Sequence, residues 1–341
     1  MGEDEFEGIA RKLRDQQQAH NNHARNGVAE HPPVVLVPPP ADDIPHAVDA
    51  LPPPRPDIDE RRLTEIGNAR RLAARFGHRL RYVHSWGKWL AWDGQRWCRD
   101  DLGSDMIAAK AVADSLYADA SALSARAAAG DSKAGDIAEA CLKFARTSSK
   151  ASSCRAMLAL AQSEDPISAS ASEFDRHPFA LNLLNGTFDL ETGKLRPHRQ
   201  TDMITRLAPV TYDEAAPCPK WNTFLEKILP DSDLRAFVQR FVGYCLTGDV
   251  REQLLGFLHG LGANGKSVLL DVMLALLGDY ACRAAPDLLL AKQSETHPTE
   301  IADLEGRRLV VCSEIEQGRE WSEALIKRIT GDTTIKARHM R

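Results

Sequence analysis

Gly260-Leu261-Gly262-Ala263-Asn264-Gly265-Lys266-Ser267 is the stretch on which the reading of this chain turns. It has the form G-x-x-x-x-G-K-S, in which backbone N–H groups of a glycine-rich loop turn inward around phosphates. Gly260, Gly262 and Gly265 leave the backbone free to take positive φ. Lys266 brings a positive charge to the β and γ oxygens, and the Ser267 hydroxyl is a ligand for Mg²⁺. A helix starting here adds the positive end of its dipole. All eight residues are therefore candidate nucleotide contacts, with ATP and Mg as the expected cofactors.

The surroundings suit such a loop. The apolar run Leu254 to Leu258 reads as a buried strand leading into it. Ser267 to Leu277 follows as a helix, with Leu269, Met273, Leu276 and Leu277 on one face and Gly278 as its stop. Hydrolysis also needs an acid. Leu309 to Glu316 reads as a second buried strand, ending in the carboxylates Glu314 and Glu316. Side chains alternate along an extended segment, so Glu314 and Glu316 would share one face. One would hold Mg²⁺ through water and the other would orient the attacking water. The catalytic candidates are thus Lys266, Glu314 and Glu316, and the metal candidates are Ser267 and Glu314.

Composition narrows the class. With 341 residues there is room for two domains and a tail. No run of eighteen apolar residues suggests a membrane span, and the acidic start (Glu3, Asp4, Glu5, Glu7) does not resemble a secretory signal. The seven cysteines lack C-x-x-C pairing and fit reduced structural thiols in a cytoplasm. His177, His198, His259 and His297 stand without a second ligand at helical spacing, so no metal centre is expected of them. The net charge is −5, and residues 1–62 account for all of it with twelve acids and seven Lys/Arg. The remainder balances at 36 of each sign, so contact with nucleic acid must come from a local basic surface.

Residues 1–62 hold ten of the nineteen prolines and no apolar periodicity, which predicts a disordered, proline-rich tail. Helical spacing runs from Leu63 to Phe76 and stops at Gly77. Asp93-Gly94 between two short strands predicts a type I′ hairpin. Trp86, Trp89, Trp92 and Trp97 cluster there; they are candidates for stacking on bases, but we read them as the core of the hairpin. Ser104 to Ser163 is Ala-rich and helical, broken near Gly130 and Gly135. A second hairpin is expected between Asn185 and Leu195, ended by Pro197. Pro209 to Pro219 reads as a domain boundary, followed by amphipathic helices over Trp221 to Leu229 and Leu234 to Leu246.

Together these residues resemble a family. Gly260 to Ser267 in the form G-x-G-x-N-G-K-S, Gly278-Asp279-Tyr280, Leu304 to Arg308, Ser313-Glu314, and Lys327 to Asp332 with Ala337-Arg338 resemble a superfamily 3 helicase. More narrowly, they are similar to the phage/plasmid primase-helicases of the satellite-phage and poxvirus type. Upstream, Asn68-Ala69, Trp89 to Trp97, Asn185-Gly186, Leu190 to Gly193, Tyr212-Asp213, Gly243-Tyr244 and Leu246 to Gly248 resemble that group's pre-helicase domain. The resemblance covers residues 63–341.

It implies an ATP-driven DNA helicase of replication that assembles as a ring, usually a hexamer, around single-stranded DNA, alongside other replication proteins and away from membranes. Lys266 and Ser267 would serve phosphate and Mg²⁺, and Glu314 would be the strand-end acid. Many ring ATPases carry an Asp-Glu pair where this chain has Ser313-Glu314, which leaves the division of labour between Glu314 and Glu316 open. Lys327 to Arg338 resembles the lead-in to a DNA-contacting hairpin. Lys336, Arg338 and Arg341 are therefore candidate phosphate contacts, the alternative being exposed basic side chains without a ligand. The family pattern continues into a polar sensor and an arginine finger, the latter worth about 10³–10⁵ in rate. Neither lies within these residues, so a C-terminally truncated or split helicase is expected. Some relatives carry a primase domain upstream; residues 1–62 are too short for one, and priming is not assigned to this chain.

The expected fold is an α/β phosphate-loop NTPase core over residues 211–341, AAA+-like with a parallel sheet and incomplete at its C-terminus. A mixed α+β pre-helicase domain over 63–210 and the disordered tail precede it. The resemblance implies a bacterial cytoplasm, with phage or prophage origin. Two other functions share the loop. One is a truncated remnant that binds ATP and DNA without catalysis. The other is a small-molecule phosphate-loop kinase, which leaves the upstream half unexplained.

Overall fold

The computed structural model describes residues 62–260, 264–291, 298–312, 320–332, 335 and 337. All of the expected tail except Arg62 lies outside the described residues.

The first helix, α1 (Glu65–Phe76), is set by its ends. Thr64 Oγ1 accepts the Gly67 N–H at 3.0 Å, and the N–H of Gly77 closes on Ala73 O. Asn68, Ala69, Leu72 and Ala73 form its buried stripe. Strands β1 (Leu80–Val83), β2 (Lys88–Trp92) and β3 (Trp97–Arg99) follow as an antiparallel meander. A fourth short strand, β4 (Ser168–Ala169), lies parallel to β1, giving the order β3-β2-β1-β4. The β2–β3 hairpin exists, but its loop is four residues long and not the expected two-residue type I′ turn. Trp92 pairs with Trp97, and the Asp93 carboxylate accepts the N–H groups of Gln95 at 2.8 Å and Arg96 at 2.7 Å. That Asx-type capping stabilises a wider turn than the Asp-Gly pair alone suggests.

Three helices cover one face: α2 (Ser104–Ala128), α3 (Ser132–Ser148) and α4 (Ala151–Ala161). Gly130, at φ 108°, makes the first break as expected. Gly135 makes none. It sits in the first turn of α3, and the second break falls at Ser149-Lys150. Ala69, Leu72, Val112, Met157 and Ile167 fill the core between α1, α2, α4 and the sheet, while Leu116, Leu123, Cys141 and Ala145 fill that between α2 and α3.

A second meander comprises β5 (Ala180–Leu183), β6 (Gly186–Asp189) and β7 (Lys194–Arg196). Its β6–β7 hairpin is the expected one, ending before Pro197; β5 was not foreseen. Helices α5 (Pro219–Ile228) and α6 (Ser232–Cys245) come next, followed by α7 (Lys266–Leu277). Strand β8 (Ala281–Arg283) lies parallel to β9 (Leu309–Val311), with Ala281 opposite Leu309, and the short α8 (Pro298–Ala302) lies between them in sequence. The last described helix is α9 (Glu323–Gly331).

One expectation fails here. Leu254 to Leu258 is not a buried strand: it has no ladder partner among the described residues, and Leu254 and Phe257 are 55% and 71% exposed. An apolar run becomes a strand only where a neighbour satisfies its N–H and C=O groups, and β8 and β9 pair only with each other. Leu276 is likewise turned outward. The buried stripe of α7 is Leu269, Met273 and Leu277, at the i, i+4, i+8 spacing that keeps to one side. Among the described residues no helix is long and apolar enough to cross a membrane.

Candidate functional site

Gly260, Asn264, Gly265 and the start of α7 form the described part of the phosphate-loop motif. Gly265 caps α7 at φ 81°, where a side chain would be strained, and no side chain caps the first turn. A Cβ at Gly265 would also stand 2.5 Å from Ile228 Cγ2 and 3.2 Å from Phe224 Cε2, because α5 packs directly beneath the loop. A Cβ on Gly260 would run into the Asn264 amide. Gly265 is therefore required by its φ as well as by close approach, whereas the Asn264 side chain could swing away from a Cβ at Gly260. Lys266 reaches back across the loop, donating from Nζ to Gly260 O at 3.2 Å and to Asn264 Oδ1 at 2.9 Å. Both acceptors are neutral, and no carboxylate pairs with Lys266 among the described residues. An uncapped helix N-terminus beside an ammonium without a counter-charge is a donor set that suits a phosphate group. Ser267, on the first turn, is exposed.

Leu261, Gly262 and Ala263 lie outside the described residues, as do Glu314, Glu316, Lys336, Arg338 and Arg341. The structure does bring α7 and the strand leading to the acids into one packing unit. Helix α7 lies against both β8 and β9, and Cys312 is the last described residue before the acidic segment.

The end of α7 opposite the loop is fixed by a polar joint that periodicity did not reveal. Gly278 turns the chain at φ 51°, close against Pro209 and Leu207 O. The Asp279 carboxylate accepts the Leu207 N–H at 3.1 Å and forms an ion pair with Arg96 from the β2–β3 loop. Arg206 donates to Asp279 O at 3.0 Å and to Glu305 O at 2.5 Å, while Arg307 also donates to Asp279 O. Tyr280 is 2% exposed, and its hydroxyl accepts the N–H of Asn182 in β5 at 3.1 Å. Burial pushes the Tyr280 phenol up to about 12. The Arg308 guanidinium lies 4.4 Å from the Tyr280 ring centroid and donates to Leu246 O at 2.5 Å and Ala180 O at 2.6 Å. Burial lowers the Arg308 pKa, opposed by the nearby Tyr280 and Asp175.

Gly278 to Tyr280 and Leu304 to Arg308 stood out in the sequence only through the family resemblance. Their chemistry in the structure is to lock α7 and β8 onto the second meander. Arg206 carried no such signal, and the pairing of Arg96 with Asp279 was hidden by the 183 residues between them. The tryptophans divide: Trp97 is fully buried with Nε1 donating to Gln200 O at 2.9 Å, whereas Trp86 is 40% exposed. His198 contacts Asn182 Oδ1 at 2.9 Å, and no cluster of metal-ligating side chains occurs among the described residues.

Comparison with known proteins bears on the upstream half. Residues 69–230 match the family described as D5 N terminal like. The chain is similar to a protein of Acanthamoeba polyphaga mimivirus provisionally named a helicase, 32% identical over 170 residues, which is 48% of this chain and 18% of that protein. A protein of Invertebrate iridescent virus 3, also provisionally named a helicase, is 29% identical over 109 residues, 30% of this chain and 12% of its own length. One from African swine fever virus, provisionally named a primase, is 24% identical over 175 residues, 49% of this chain and 18% of its own length. The chain therefore spans less than a fifth of the length of the curated relatives it matches. Its upstream half is similar to the D5 N-terminal region, and its relatives are viral proteins with helicase and primase names.

Proposed function

We propose that this chain is part of a DNA-replication primase-helicase of phage or viral type, and that its phosphate loop couples ATP hydrolysis to DNA unwinding. The observation that carries the reading is Lys266. It is a cation without a counter-charge among the described residues, at the mouth of a glycine-rich loop, in a chain whose residues 69–230 match the D5 N terminal like family and which is similar to viral proteins with helicase and primase names. Bound ATP and Mg²⁺ would supply the phosphoryl group and the metal charge that neutralises it. The residues of this chain would bind and orient. Lys266 would exchange its two neutral oxygens for phosphate oxygens, and the N–H groups of the first turn of α7 would meet the same anion. Ser267 would offer its hydroxyl to the metal, and Glu314 and Glu316 remain the candidates for holding its water shell and directing the attacking water. A superfamily 3 ring, hexameric and threaded by single-stranded DNA, is the assembly this reading implies, within an AAA+-like α/β core.

ATP hydrolysis by the purified chain, with and without single-stranded DNA, tests it. DNA-stimulated turnover should fall to background in Lys266→Ala; turnover that survives that change would remove the motor assignment. The exposed run Leu254 to Leu258 favours one second reading, a module that binds nucleotide without turning it over. ATP binding with background turnover in the unaltered chain would select it.

A further inference from the structure

The upstream region carries a strongly charged surface that the proposed site does not use. From Ala140 to Ser163, 24 consecutive residues contain no Asp or Glu but include Lys143, Arg146, Lys150 and Arg155. In a chain of net charge −5 this is a local inversion of sign. The fold gathers these residues at one corner. Lys143 and Arg146 lie one turn apart near the end of α3, on the side away from its buried stripe Ala138, Cys141, Ala145 and Ser148. Lys150 is the N-cap of α4, and Arg155 lies in its second turn.

All four cations are exposed, and none makes an ion pair or a side-chain hydrogen bond among the described residues. Several arginines elsewhere do have partners: Arg126 pairs with Asp131, Arg196 with Asp202 and Arg251 with Asp249. Helix α4 also begins without an acid in its first turn and without a side-chain cap. Tyr117 of α2 stands at the same corner, 37% exposed, with its hydroxyl 3.4 Å from the Oγ of Ser149, which lies between Arg146 and Lys150 in the chain. Cations that flank one bend of the chain without counter-charges repel one another, a cost that a polyanion relieves. A half-exposed ring among them offers a face on which an unpaired base stacks.

We infer that the α3–α4 corner is a docking surface for single-stranded nucleic acid, with Lys143, Arg146, Lys150 and Arg155 on the phosphates and Tyr117 against a base. The choice of DNA as the strand rests on the function proposed above. The surface is distinct from the Lys336, Arg338 and Arg341 segment. Single strands are favoured over an acidic protein or an anionic lipid surface because only an unpaired base makes use of the ring.

Fluorescence anisotropy of a labelled oligothymidylate on the full chain, titrated over a salt series, tests this. Replacing Lys143, Arg146, Lys150 and Arg155 together by Ala should weaken binding about tenfold or more at low salt. It should also flatten the slope of log K against log salt by about 3, at roughly 0.7 per lost phosphate contact. Alanine is the strongest helix former, so α3 and α4 persist, and far-ultraviolet circular dichroism checks that. Tyr117→Leu should weaken the oligothymidylate about fivefold or more and leave duplex DNA of the same length unaffected. Lys133→Ala, on the first turn of α3, should change neither. Unchanged affinity and slope in the fourfold variant would overturn the surface. So would a loss shared equally by duplex DNA and anionic phosphatidylserine vesicles with no dependence on Tyr117. An unaltered chain that fails to bind oligothymidylate would also overturn it, and the Lys266→Ala hydrolysis assay would then judge the proposed function separately.

Discussion

Trp97 and Phe257 are both large aromatic residues, yet the first is fully buried and the second is 71% exposed. The difference lies in their neighbours. Trp97 belongs to a meander whose strands are close in sequence, so β2 supplies its ladder and Val83, Leu90 and Phe174 close around the ring. Phe257 precedes a loop in a region whose described sheet has two strands, β8 and β9, joined over a longer path. Upstream, local pairing completes the core; downstream, apolar side chains such as Phe257, Val268 and Leu276 are left facing outward. Burial here follows the reach of pairing more closely than it follows hydrophobicity.

Substitutions can break or sharpen that contrast. The largest effect should come from Trp97→Ala, which removes a fully buried ring and its bond to Gln200 O; we expect about 3–5 kcal/mol of destabilisation in urea unfolding. Arg308→Ala comes next. It strips Leu246 O and Ala180 O of their donor, at a cost of about 2–3 kcal/mol. Hydrogen exchange should then show protection lost in β5 and β8 together; loss in β8 alone would mean that the joint does not bind the two regions.

Tyr280→Phe should cost about 1 kcal/mol by removing the acceptor for Asn182 N–H. It also carries a pH signature. The folded phenol is raised from 10.0 to about 12, so its contribution is fully present below pH 10 and lost as pH rises toward 12. The unaltered chain should therefore lose stability across that window, and Tyr280→Phe should lose less; equal alkaline slopes would contradict the burial assigned to Tyr280. Phe257→Ser should be smallest, within about 0.5 kcal/mol, because an exposed side chain has little burial to lose. A cost as large as that of Trp97→Ala would show that Phe257 is covered in solution.

What was legible in the sequence follows the same division. Helices α1 to α7 were readable from apolar spacing, but their starts were less so: the Thr64 and Asp231 caps went unread, and of the breaks between α2, α3 and α4 only that at Gly130 was found. The β6–β7 hairpin was readable from its turn residues, but the two-residue turn at Asp93-Gly94 was not what formed, because the Asp93 carboxylate captures two N–H groups beyond it. Strand β5 escaped notice because it contributes one pleat to a meander whose turn, Leu184-Asn185, lacks a strong glycine signal on both sides. The strand expected at 254–258 failed because composition states that a run is apolar without stating what lies beside it. Within the candidate site, Gly265 and Lys266 announced themselves by motif. The Asp279 joint, assembled from four stretches of chain at Arg96, Arg206-Leu207, Asp279 and Arg307, could not be found by any local window.

The core that unites Leu181, Leu183 and Ala208 with Leu277, Tyr280 and Ala281 bears on how this protein can be divided. The proline-rich connector near residue 210 invites a cut, since few ordered elements cross it. A fragment ending there would present the first three residues as a bare apolar wall, and one beginning there would present the other three. Each piece would also carry half of an arginine-rich seam, with the carboxylate of Asp279 on one side and Arg96 and Arg206 on the other. Purified separately, the halves should be sticky and prone to re-associate; co-expressed, they should behave as one particle.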